Sequence, residues 1–244
     1  VGDLMSYLDL ERLRALDEHA FQRRRPYPWV NPERLLTEDG YRYLLDSMPD
    51  PSLFQRSFGV ARAHGQQSHD RLSLDYDRAS AISEHWHSFV AELRGKEYGR
   101  FLRRLFGPWP LRLRFHWHYT PRGCSVSPHC DAKHKAGSHI FCFNPSEEWD
   151  PAWGGQTLIL DDRGQFDRGS APTFDDFDEI VTADIVGNQS VVFRRQGNSW
   201  HGVKELHCPV GVYRRVFIVV IERLVGGLRR DVRGLLTGKR LEGY

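Results

Sequence analysis

Residues 119–144 read YTPRGCSVSPHCDAKHKAGSHIFCFN, with His129, Cys130 and Asp131 at the centre. In an extended strand, side chains two apart project to the same side. His129 and Asp131 then point together, and Cys130 points the other way. An imidazole and a carboxylate held in parallel are two of the three ligands of a His–carboxylate–His iron site. The third ligand must be a distant histidine delivered by another strand. His201, within Asn198-Ser199-Trp200-His201-Gly202-Val203, is the candidate.

The flanks of this stretch carry a strand period. Leu111, Leu113, Phe115, Trp117 and Tyr119 alternate with Arg112, Arg114, His116 and His118, the two-residue repeat of a half-buried strand. Further strands are expected at 138–144, 156–160, 189–194 and 212–222. Gly154-Gly155, Gly164, Gly169, Pro172 and Gly187 separate them as turn residues. Many short strands without intervening helices imply a sandwich or jelly roll.

Upstream the period is helical. Residues 8–21 read as one helix with Leu10, Leu13 and Leu16 on a face. Thr37 is an N-cap candidate for a second helix carrying Tyr41, Leu44, Leu45 and Met48. Ile82, Trp86, Phe89, Val90 and Leu93 form a third stripe, which Tyr98, Phe101, Leu102 and Leu105 continue after Gly95. Such a stripe is a core-packing face. The fold class expected is mainly β with N-terminal helices, a sandwich or jelly-roll core buttressed by α-helices. Its organisation is a single unit over 1–244: helical support to 106, core over 107–222, and a basic tail over 223–244. Residues 161–179 are polar and acidic without clear period, a long loop of the kind that is functional or disordered.

Composition narrows the classes. The 244 residues carry 34 basic and 32 acidic side chains, a net charge of +2, so global charge gives no case for nucleic acid. Arginine far outnumbers lysine, which suggests a GC-rich bacterial genome. Four cysteines, Cys124, Cys130, Cys142 and Cys208, form no C-x-x-C pair. That excludes a disulfide scaffold and paired structural zinc, and suits a reducing cytoplasm. No apolar run reaches the length of a membrane span, and the expected location is cytoplasmic. Oligomeric state is not legible.

Iron(II) held by two neutral imidazoles and one carboxylate keeps positions open on one face. An oxo-acid cosubstrate chelates two of them and leaves one for dioxygen. Its far carboxylate then needs a cation, which arginine supplies as a bidentate donor. The order required is His-x-Asp, a distant histidine, and an arginine on the next strand. Here these are His129-x-Asp131, His201 seventy residues after the aspartate, and Arg214-Arg215 opening the run VFIVVIE.

From about Leu111 to Glu222 the chain resembles the iron(II)- and 2-oxoglutarate-dependent dioxygenases, in their prolyl-hydroxylase-like branch. Tyr119 stands ten residues before His129, where those enzymes place a tyrosine on the 2-oxoglutarate carboxylate. His139-Ile140-Phe141-Cys142-Phe143-Asn144 resembles the family's strand ending in Asn. Glu148-Trp149-Asp150 to Trp153-Gly154-Gly155 resembles its "WD…GG" passage, and Trp200-His201-Gly202-Val203 its distal-ligand strand. The resemblance implies a double-stranded β-helix with Fe(II), 2-oxoglutarate and O2 at its mouth. His129, Asp131 and His201 are then metal ligands, and Arg214 and Tyr119 bind the cosubstrate.

Several positions depart from the pattern. Arg214 follows His201 by thirteen residues, slightly more than usual, so Arg215 remains an alternative. Val216 replaces a small polar residue and Cys142 a frequent tyrosine. Val220 or Ile221 stands where the nucleic-acid demethylase branch has a second arginine, which argues against that branch. Asp131 argues against a halogenase. His116 and His118, opposite Tyr119, are expected to be packing residues, while His134 and His139 lie close to the ligands in sequence.

The activity expected is a hydroxylase acting on the C–H bond of a small metabolite, with succinate and CO2 as coproducts. Arg122, Lys133 and Arg194, near the ligand strands with Lys135 and Arg195, favour an anionic substrate if they line the mouth. A peptidyl, prolyl-type substrate with 161–179 as lid is the alternative. Competing classes are a non-catalytic jelly-roll binding module and a cupin-type metalloenzyme, which has no need of Arg214.

Overall fold

The aromatic side of the alternating segment faces a layer of helices. In a computed structural model, which describes residues 6–60, 62 and 65–224, five helices precede the long strand that begins at Leu111. They are α1 (Leu10–Ala15), α2 (Glu18–Arg23), α3 (Glu38–Asp46), α4 (Glu84–Leu93) and α5 (Lys96–Phe106). Of the basic tail expected over 223–244, Arg223 ends the last strand and residues 225–244 lie outside the described residues. None of the helices among the described residues is long and apolar enough to cross a membrane.

The expected helix over 8–21 is two helices. Leu16 turns extended, and the Asp17 carboxylate accepts from the backbone N–H groups of His19 and Ala20. A short acceptor that satisfies two N-terminal donors starts a new helix rather than continuing the old one. Likewise Gly95 separates α4 from α5.

Thr37 caps α3 as expected, accepting from Gly40 N at 3.0 Å and donating to Ser6 O at 2.8 Å. Thr37→Ala should therefore cost about 1 kcal/mol, lowering the melting temperature by about 2–4 °C in a calorimetric scan. An unchanged melting point counts against the cap.

Between and after the helices run β1 (Trp29–Val30), β2 (Gln55–Ser57), β3 (Arg71–Asp75), β4 (Leu111–Pro121), β5 (Val126–His129) and β6 (Lys135–Cys142). Then follow β7 (Thr157–Asp161), β8 (Glu179–Ala183), β9 (Ser190–Arg194), β10 (Trp200–Val203) and β11 (Tyr213–Arg223). They form two antiparallel sheets, a larger one ordered β1-β9-β6-β11-β4-β3-β2 and a smaller one ordered β5-β10-β7-β8. From β4 onward the chain crosses repeatedly between the sheets, the winding of a double-stranded β-helix. The jelly-roll core is as the family resemblance implied, and the helical buttress is as the sequence pattern implied.

Strand alternation divides the packing. On the outer face of the large sheet, Phe115, Trp117, Tyr119, Phe141 and Phe217 meet Trp86, Phe89 and Leu105 of the helices. Trp86 is fully buried, its ring 5.0–5.2 Å from those of Trp117, Phe143 and Phe217. Each such side chain contributes about 1.5–3 kcal/mol by burial. Between the sheets, Ile140, Val191, Val216, Ile159 and Val203 form a second cluster.

Two segments differ from expectation. β2 and β3 extend the large sheet beside β4, although 55–75 carried no strand assignment. The acidic stretch 161–179 is anchored by its phenylalanines, with Phe166 and Phe177 packing on Trp200 at 6.0–6.1 Å. Asp162 is buried and accepts from Gly164 N, Phe166 N and the Trp200 indole N–H. Part of its acidity thus serves hydrogen bonding inside the fold.

Candidate metal centre

β5 is an edge strand, which is why Pro128 fits there without a lost ladder bond. Its one sheet neighbour is β10, and the register sets His129 directly opposite His201. The two rings lie 4.3 Å apart. Asp131 follows two residues after His129, and one ligand atom from each of the three falls within 4.8 Å of the others.

Both imidazoles are oriented the same way. Nδ1 of His129 donates to Ser127 O and Nδ1 of His201 donates to Ser199 O, each at 2.9 Å. A carbonyl only accepts, so Nδ1 carries the proton and the Nε2 lone pair remains for a Lewis acid. Burial lowers the pKa of both rings, most strongly for His129, where His201 and His69 add to the effect. The rings are neutral, as metal ligands must be.

Burial alone would raise the Asp131 carboxyl. Lys135 and His201 oppose it, and the group is held at about 2. Lys135 Nζ donates to its Oδ1 at 2.6 Å and Ser138 Oγ to its Oδ2 at 3.3 Å. Two neutral imidazoles and one ionised carboxylate, converging within the fold, have the chemistry a divalent iron ion requires.

The large sheet supplies cations to the same cavity. Arg214 is buried, its Nε donating to Gly155 O at 2.6 Å and its Nη2 to Thr157 Oγ1 at 3.0 Å. Both acceptors are neutral, and it has no ion-pair partner among the described residues. Desolvation lowers its pKa. Gly154 and Gly155 have φ of +83° and +95°, a region that favours glycine, and this turn brings the Gly155 carbonyl to the guanidinium. Arg215, the alternative, lies on the opposite face and pairs with Glu148 at 2.9 Å.

Tyr119 is not brought to the cavity. It sits on the helix-facing side of β4, its ring tilted against that of Phe54, and donates to Pro49 O at 2.9 Å. The residues that line the cavity from β4 are His116 and His118, expected from alternation to be packing residues. Alternation separates the two faces correctly, but the helices claim the aromatic one.

Arg122 and Lys133 are exposed, and Arg194 donates to Gln22 at the periphery. None of the three lines the cavity. His139 is also turned away, with Nδ1 bonded to Tyr98 OH. The cationic lining is instead Arg71, Lys135 and Arg214. His69 and Arg71 escaped sequence reading, although Arg71-Leu72-Ser73-Leu74-Asp75 carries a legible alternation. His69 forms a bridge to Val126 that ties the β2–β3 connection to β5, and its ring lies 4.4 Å from that of His129. The candidate metal ligands thus belong to the small sheet and its β5–β6 turn, while Arg71 and Arg214 belong to the large sheet.

No protein-family model matches the sequence, and no curated protein matches it. Solved structures match the fold. A prolyl-4-hydroxylase of Pseudomonas putida aligns at a TM-score of 0.56 with 18% identity, covering 80% of this chain and 92% of that one. A prolyl hydroxylase of Trichoplax adhaerens, solved with a hypoxia inducible factor peptide fragment, aligns at 0.66 with 13% identity, covering 90% and 93%. The non-heme alpha-ketoglutarate-dependent carbocyclase SnoK of nogalamycin biosynthesis aligns at 0.58 with 11% identity, covering 91% and 87%. The chain has the fold of these oxygenases.

Proposed function

We propose that this chain, sharing the fold of iron- and 2-oxoglutarate-dependent oxygenases, is itself an Fe(II)- and 2-oxoglutarate-dependent hydroxylase. His129, Asp131 and His201 hold the metal, and Arg214 pairs with the far carboxylate of the cosubstrate. When bound, the iron supplies dioxygen activation coupled to oxidative decarboxylation of 2-oxoglutarate, giving succinate, CO2 and a hydroxylated C–H bond. The protein groups orient and hold. Nδ1–H bonds fix both imidazoles, and Lys135 and Ser138 hold the Asp131 carboxylate in place.

One observation carries the reading. On β10 the pair His201–His129 and the pair Val203–Val126 are two residues apart, a rise of roughly 7 Å. Gly202 pairs with Leu158, so Val203 is level with Thr157, the residue that Arg214 bonds. A buried guanidinium one strand repeat below three converging ligand atoms matches the reach of a five-carbon oxo-diacid. A cupin-type metal enzyme has no use for that cation.

For the substrate, a small metabolite is favoured. Lys135 pairs with Asp131 and Arg214 with the cosubstrate, so the cavity's positive charge is met by the metal ligand and the oxo-acid, and what is left of it is a small enclosed space suited to a small molecule. The prolyl hydroxylases among the structural matches support the second reading, a peptidyl substrate. The free, buried cysteines suit the cytoplasm.

The test is anaerobic addition of Fe(II) and 2-oxoglutarate to the apoprotein. A weak visible charge-transfer band is expected, and a metabolite and peptide panel scored by succinate release then separates the two substrate classes. Absence of the band favours the non-catalytic binding module.

A further inference from the structure

We infer that Arg71 is a second cation for the far carboxylate of the oxo-diacid, so that two arginines grip it from opposite ends of one row. This rests on the oxygenase reading above. Leu72 pairs with Tyr119, and both face the helices; Arg71, the next residue along β3, is therefore on the cavity side and level with Thr120. Thr120 pairs with Arg214. The two arginines thus share a row of the large sheet, two strands apart, or roughly 10 Å between backbones. Each side chain spans several ångströms, so both guanidiniums reach an anion seated between them.

The facing row of the small sheet is Val126, Val203 and Thr157. Arg214 bonds Thr157 at one end. Arg71 donates through Nη1 to the carbonyl of His69 at 2.9 Å, and His69 bridges Val126 at the other end. His118 stands one pair above Thr120 on the same face of β4. Its imidazole is kept neutral first by burial, then by His116, Arg71 and Arg214, and it lines the same cavity as both arginines.

The other donors expected for this job are missing. Tyr119 is turned to Pro49, and the Cys142 thiol, pushed up to about 12 by burial despite Arg214, stays neutral. Arg71 is then the cavity-lining group with the charge and reach to take over. Guanidinium in place of a phenol makes the grip depend on the dianionic form of the ligand.

The experiment is an anaerobic titration of the Fe(II)-loaded protein, reading the visible band. It compares 2-oxoglutarate with 2-oxobutyrate, which has no far carboxylate. In Arg71→Gln the 2-oxoglutarate dissociation constant should rise about ten- to a hundredfold, while that for 2-oxobutyrate stays within about twofold. Arg71→Lys, which keeps the charge but not the fork, should recover part of the loss. It also serves if Arg71→Gln does not fold. An unchanged 2-oxoglutarate constant, or equal loss for both acids, overturns the second-cation role and leaves the oxygenase reading standing. No band in the parent with either acid overturns both.

Discussion

His201→Ala is expected to abolish stoichiometric Fe(II) binding while the protein stays folded. Loss of an outer partner of a metal ligand typically costs about 10–100-fold in affinity, and removal of the donor itself should exceed that. The remaining pair, His129 and Asp131, presents two ligand atoms where three converge in the parent. Because His201 pairs with both His129 and Ile159 through the backbone, alanine preserves the ladder. The far-ultraviolet spectrum and melting of the apoprotein should therefore change little. Anaerobic calorimetric titration with Fe(II) checks the outcome. Binding at the parent's affinity would show that the three residues do not serve one ion.

Arg214→Gln separates cosubstrate from metal. Truncating one partner of a buried, hydrogen-bonded charge pair costs about 2–5 kcal/mol, which is roughly thirtyfold to several thousandfold in the 2-oxoglutarate dissociation constant. The metal constant should be unaffected, since all three candidate ligands lie elsewhere. Glutamine can still donate to one of the two acceptors, the Gly155 carbonyl or Thr157 Oγ1, which limits the loss in the apoprotein. The band titration with saturating Fe(II) measures the shift. Retained 2-oxoglutarate affinity would remove Arg214 from the site and strengthen the cupin-type alternative.

The sequence pattern made much of this architecture legible, and for identifiable reasons. A two-residue period over Leu111–Tyr119 marks a strand wherever it sits, and His129-x-Asp131 puts two donors on one side of an extended chain. His201 is approached through a strand of buried residues whose neighbours, Trp200 and Gly202, mark it in sequence. What alternation does not encode is which side of a strand the site occupies. His118 rather than Tyr119 lines the cavity for that reason, since a face of Phe115, Trp117 and Tyr119 packs against the α4–α5 stripe. Surface cations near the ligands in sequence, such as Arg122 and Lys133, were poor guides because a tight turn carries neighbours away within two residues. Arg71, sixty residues upstream of Asp131, is brought in by β3 pairing that only the folded sheet reveals.

The division of donors between the two sheets has a bearing on how such a site changes over time. The candidate metal triad rides on one layer, while the row of Arg71 and Arg214 proposed to grip the anion rides on the other. On the proposed reading, drift at Arg71 can therefore retune which oxo-acid is accepted without disturbing the ion. Conversely, erosion of the triad leaves behind a cationic cleft still suited to organic anions. A descendant that lost turnover would inherit a ready-made receptor.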